Sequence, residues 1–420
     1  MVMRRVFNHH VCLCVLSTAI LAGLALMTSQ TKVYAAQNCN GLASGGDKSD
    51  QPIVCDETAD GTGVQKGVGT LTGKRDINMS VHSGQAAVTV TGAKTNITIS
   101  SELKVTDKGG KNNNPAIKVH NKGVLMLVGD VSVEGVQKGI EVSDSGSSVT
   151  VVQGKIGVRK AGGGSLIEVK NSGKVVLMEE VTVGTISESG EVVVINNGGT
   201  VELKGQSFNN VAMGIVVKGN NTTASVRGKA TITVKQDGTG FKMQGQGTAN
   251  VMELTISGNR GVTGVTGVEM GSTGTLTLTK VGITTGSAGT GARVSNGTLE
   301  ILGKSKIDVG VGGTGVEVEG GTANVTLTRI TGSGNGTGAT GVEVSGNADV
   351  TLTNVTMNQV GTGITKSGSG TLTLNGGTKI TGSGRSGVGI NVTGGSGNVM
   401  LTGVTISEFT TGVEMGGREC

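Results

Sequence analysis

Glu317 and Glu343 occupy the same place in two successive copies of the phrase Thr-Gly-Val-Glu-Val and could share a proton or a cation, although no tight carboxylate pair with a base emerges. Read repeat by repeat, the equivalent outward position carries Lys118, Glu141, Glu168, Lys242, Glu269, Arg293, Glu317, Glu343 and Glu414. The structural alternative is a solvated ladder in which Arg293 sits between Glu269 and Glu317, and in which each exposed pair is worth about 0.2–1 kcal/mol. Polysaccharide lyases and hydrolases cluster Asp, Arg or Lys on one strand face and usually add aromatic platforms. The only aromatics after residue 36 are Phe208, Phe241 and Phe409. No catalytic residue is therefore assigned.

Other chemistries have less to work with. His82 and His120 are the only histidines outside the first 36 residues, no Cys-x-x-Cys occurs, and no P-loop, dinucleotide fingerprint or Gly-Gly-x-Gly-x-Asp calcium repeat is present. No metal or cofactor is expected. Thr275, Thr277 and Thr279, with Thr326, Thr328, Thr351, Thr353, Thr371 and Thr373, resemble the Thr-x-Thr ladders of ice-binding β-helices, but Glu300 and Met400 interrupt the column. Threonine is also a good strand residue that keeps an outer face polar.

The element that positions these residues is a repeat. The phrase begins at Thr266, Thr290, Thr314, Thr340, Thr362, Val388 and Thr411, spaced by 24, 24, 26, 22, 26 and 23 residues. A second alternating run follows each phrase (Leu276-Thr277-Leu278, Val350-Thr351-Leu352) and then a third (Val281-Gly282-Ile283, Val355-Thr356-Met357), separated by Gly, Ser and Asn. Alternation gives each run one inward and one outward set of side chains. The repeat is too short for a propeller blade and has no helical half as in leucine-rich repeats. The pattern predicts an all-β chain: a single-stranded right-handed parallel β-helix, a pectin-lyase-like solenoid with three short strands per coil and about thirteen coils. Handedness rests on the general preference of parallel connections. Earlier coils are expected to start near Ala86, Pro115, Lys138, Ser165, Glu191, Met213 and Thr239, with Val316, Val342 and Leu352 in the core and Lys111–Pro115 projecting as a loop. Composition agrees, since 77 Gly, 2 Pro and 1% aromatics suit a thin aliphatic core rather than a globular one.

Residues 1–35 read as a secretory signal: Arg4 and Arg5, the apolar run Val11–Met27, and Val33-Tyr34-Ala35 with cleavage after Ala35. Without Arg4, Arg5 and Lys32 the chain carries 32 basic against 30 acidic residues, so its charge calls for no nucleic-acid partner. In an exported protein Cys39 and Cys55 are expected to pair, worth roughly 3 kcal/mol by chain entropy. That disulfide would hold an N-terminal cap over 36–85, with the β-helix repeats over 86–420.

The signal, the segments Cys39-Asn40-Gly41-Leu42 and Pro52-Ile53-Val54-Cys55-Asp56, the Gly/Thr/Val-rich coils and the scarcity of aromatics together resemble the passenger domains of autotransporters, the type V secreted proteins of Gram-negative bacteria. They are most similar to passengers from host-adapted alphaproteobacteria. The resemblance implies export through the periplasm and an outer-membrane translocator barrel. It also implies a place at the cell surface or outside the cell, and a role as a virulence factor that binds a host-cell surface protein or glycan, vascular endothelium included. The alternative is a polysaccharide-active β-helix enzyme. Because the sequence stops at Cys420 in the first strand of a coil, without barrel strands, the expectation is a passenger fragment, a truncated product or another export route. Self-association through the last coil is expected with it.

Overall fold

The computed structural model describes residues 50–57, 67–259, 261–332, 338–384 and 386–416. Ala35 and Cys39 lie outside them, as do the signal segment and most of the residues before the first strand. Among the described residues there is no helix. The chain is a right-handed-type parallel β-solenoid of about 13 stacked turns.

Each repeat forms one coil because its three alternating runs pair with their equivalents in the next. The first strands Thr266–Met270, Thr290–Val294, Thr314–Val318 and Thr340–Val344 are parallel and aligned Thr to Thr and Glu or Arg to Glu. Second strands such as Thr275–Thr279 and Thr298–Leu302 do the same, as do third strands such as Lys306–Val309 and Arg329–Gly332. The starts read from sequence fall into one register: Pro115 pairs with Lys138, Glu191 with Met213, Met213 with Thr239 and Thr239 with Thr266. The interior is a column of Val, Ile, Leu and Ala, with Val316, Val342 and Leu352 fully buried.

The glycine of the phrase has a packing cause. A Cβ on Gly315 would overlap the Gly341 carbonyl oxygen of the next coil and the Ile330 side chain across the interior. Only a residue without Cβ lets the first strand approach the third so closely. Corners are closed by short hydroxyl side chains: buried Ser305 accepts from the Val281 N–H at 3.1 Å and donates to the Leu302 carbonyl at 2.7 Å.

Three findings refine the sequence reading. Between about residues 124 and 243 two of the three runs often merge into one strand, as in Val124–Val136, Ser148–Val158 and Ala230–Met243. There Gly135 and Gly154 turn the corner at positive φ while pairing continues across a register shift. Stacking also begins inside the segment expected as a cap: Ile53–Cys55, Val68–Leu71 and Arg75–Asn78 pair in parallel with Val88–Thr91, Asn96–Ile99 and Leu103–Thr106. The polar corner at Lys111–Pro115 does not project. Asn112 is 2% exposed, and its amide donates to the carbonyls of Met79, His82 and Gln85 at 3.2, 3.0 and 2.9 Å. Its backbone N–H is held by Asp107 at 3.1 Å. An asparagine whose two amide N–H donors are shared among three backbone carbonyls is bound inward, despite its polar sequence context. At the other end of the described chain, Leu401 and Val413 pair with buried Leu374 and Ile390 but are themselves exposed.

Candidate functional site

The first-strand column is one continuous ladder. Thr89, Lys118, Glu141, Glu168, Val194, Val216, Lys242, Glu269, Arg293, Glu317, Glu343, Thr365, Asn391 and Glu414 are register partners in that order. Most of its charges are matched. Lys170 reaches Glu141 at 3.0 Å and Glu168 at 3.1 Å, and Lys242 reaches Glu269 at 2.9 Å. Burial alone would lower the Lys170 pKa, but the hydrogen bonds to Glu141 and Glu168 outweigh it and hold the pKa above its ordinary value.

Arg293 sits between Glu269 and Glu317 in the register, as expected, but pairs with only one of them. It gives its guanidinium to Glu317, Nη2 at 2.9 Å and Nε at 3.0 Å, while Glu269 is taken by Lys242. Glu317 also accepts from the Thr290 hydroxyl at 3.2 Å. Glu343, one coil further on, has no ion-pair partner among the described residues. Its carboxyl is pushed above the usual range by burial first, then by Glu317 and Glu319, with Arg293 opposing. Glu317 and Glu343 are thus brought together but differ in environment: Glu317 is ion-paired, and Glu343 is not. Among the described residues no group of three His, Cys, Asp or Glu side chains is arranged to hold a metal.

The second-strand threonine column is interrupted where the sequence indicated. Thr277 pairs with Glu300, Glu300 with Asn324 and Thr373 with Met400. Glu300 accepts a hydrogen bond from Thr277 at 2.9 Å. Cys55 is buried and disulfide-bonded, and Cys39, its expected partner, lies outside the described residues.

Sequence reasoning missed two features. Lys366 falls in the inward column between Val344 and Val392 and is 1% exposed. Its ammonium curls to the following corner and donates to the carbonyls of Ser367 at 3.2 Å and Gly368 at 2.9 Å, and burial lowers its pKa with Asp349 acting weakly the other way. The third strands hold the second feature, a cation followed by isoleucine at their start: Lys306-Ile307, Arg329-Ile330 and Lys379-Ile380. This recurrence was readable, and it places three cations on one face. Two of them, Lys306 and Arg329, line a shallow cavity of about 380 Å³ together with Lys304, Leu327, Asn354 and Thr356.

No protein family, no curated protein and no solved structure matches this chain.

Proposed function

We propose that the protein is a secreted or surface-displayed autotransporter passenger, of the kind found in host-adapted alphaproteobacteria, that binds a host-cell surface component. The observation that carries the reading is the stacked rod itself: about 13 coils, roughly 60 Å at 4.8 Å per coil, with long outward faces of aligned polar side chains. Solenoids bind macromolecules through such extended surfaces. The disulfide at Cys55 suits an oxidising compartment reached by export. An outer-membrane translocator barrel is the export partner in this reading.

The test has two arms. Expressed with its leader in a Gram-negative host, the tagged chain should appear at the surface or in the medium. The labelled protein should then bind endothelial cells saturably and be displaced by unlabelled chain. Release of reducing or unsaturated sugar ends from a glycan panel would favour a polysaccharide-active enzyme, and absence of saturable cell binding would refute the proposal.

A further inference from the structure

The third-strand face carries positive charge that the protein itself does not neutralise. Register places Lys306 beside Arg329, Arg329 beside Thr356 and Thr356 beside Lys379. These four coils span roughly 14 Å along the axis at 4.8 Å per step. Lys280 and Lys304 stand at the preceding corner in two successive coils, both at positive φ. Two of the five cations are paired, Lys306 with Asp308 at 2.6 Å and Lys280 with Glu253 at 3.7 Å. Among the described residues no carboxylate lies within ion-pair distance of Lys304, Arg329 or Lys379, and all three are exposed. The first-strand ladder, by contrast, pairs most of its cations. The shallow cavity between Lys304, Lys306 and Arg329 adds Asn354 and Thr356 as polar groups and Leu327 as an apolar wall. Leu327 is 51% exposed and shares the positive φ of this corner with Lys280, Lys304 and Asn354 in the neighbouring coils.

We infer that this face is a binding site for a linear sulfated polysaccharide lying along the rod axis. The inference rests on the host-binding reading above and gives its ligand a chemical class. An anionic chain in extended form meets unpaired cations in three of four successive coils, Lys304, Arg329 and Lys379, with the polar Asn354 and Thr356 in the coil between Arg329 and Lys379. Arg329 offers a planar fork suited to a sulfate or carboxylate, and Lys304 and Lys379 offer point charges on either side. Asn354 and Thr356 can hydrogen-bond sugar hydroxyls, and Leu327 can pack against a sugar ring. A nucleic acid fits less well. Single strands are held by stacking on aromatic side chains, and here Phe208 and Phe241 are fully buried while Phe409, partly buried, packs against the core.

The experiment uses the secreted chain, heparin, fully desulfated heparin and duplex DNA at matched salt, with affinity read by surface plasmon resonance. One variant carries Lys304→Ala, Arg329→Ala and Lys379→Ala. A charge-matched control carries Lys104→Ala, Lys155→Ala and Lys174→Ala, whose lysines are paired to Asp76, Glu134 and Glu202. Heparin should bind the wild type with an affinity that falls as salt rises. The site variant should lose about tenfold or more, from three exposed charge contacts, while the control keeps near-wild-type affinity. Desulfated heparin should bind weakly. Unchanged binding by the site variant, an equal loss in the control, or duplex DNA binding as tightly as heparin would each overturn the inference. All six positions are outward, and matching melting curves for the variants exclude misfolding. Cells stripped of sulfated glycans separate this proposal from the broader one. If they still bind the chain fully, the site fails and host binding stands. If heparin binds through these residues but no cell does, host binding fails and the site stands.

Discussion

Replacing Lys366 with methionine should make the solenoid more stable, not less. The side chain occupies a column otherwise built of Met270, Val294, Val318, Val344 and Val392. Taking an ammonium out of water costs several kcal/mol, and the two carbonyl hydrogen bonds recover only part of it, as the lowered pKa indicates. Methionine keeps the unbranched shape and removes the charge. The carbonyls of Ser367 and Gly368 lose a donor, at about 1 kcal/mol each, but they sit at a partly exposed corner that water can reach. A net gain of about 1 kcal/mol at pH 7 corresponds to roughly fivefold slower local opening. Hydrogen exchange of peptides covering Thr362–Lys366 reads this coil by itself, which matters because a long repeat array does not unfold as one unit. The folded pKa lies below that of the unfolded chain. The penalty is therefore fully present below the folded value and fades as pH rises towards the ordinary lysine value of 10.5. Thermal melts of wild type and Lys366→Met should converge over that range. A variant with faster exchange at pH 7, or a difference in melting that does not change with pH, would refute the buried-charge account.

The remaining expectations are shorter. Val342→Asp buries an unpaired charge at a fully buried position and should cost at least about 4 kcal/mol, seen as a much lower melting temperature. Gly315→Ala should cost about 1–3 kcal/mol by overpacking against Gly341 and Ile330, whereas Gly312→Ala, with nothing near its Cβ, should show only the strain of its positive φ. Glu343→Gln should raise stability at pH 7 by at most about 1 kcal/mol, since the carboxyl is half-exposed. The raised pKa means that the wild-type contribution is fully present below 4.5 and lost as pH rises through the folded value, so the two proteins should melt alike in acid. Peptide mapping of exported protein without reduction should join the Cys55 segment to that of Cys39, and a different partner would remove the disulfide from the proposed N-terminal cap.

The parts of this molecule that depend on period were legible, because a solenoid makes register a property of spacing. The distance from Thr314 to Thr340 fixes that Glu317 meets Glu343, and the alternation within Thr-Gly-Val-Glu-Val fixes that Val342 faces in. What spacing does not determine is where a long or polar side chain ends. Lys366 holds the phrase position of Val344, yet its four-carbon stem lets the ammonium leave the interior column and reach a corner carbonyl. Asn112 sits in the most polar corner of the chain, yet three carbonyls one turn earlier give it a better set of partners than water. Pairing of charges is lateral as well as longitudinal, and the two were not equally visible. Arg293 lies between two glutamates by register, but Lys242 takes Glu269, and the arginine turns wholly to Glu317. Arg329 has Lys306 on one side and Thr356 on the other, so stacking gives it no carboxylate at all. A ladder with alternating signs satisfies itself, while a column whose neighbours along the axis are cations or neutral residues leaves its charge without a partner along the stack.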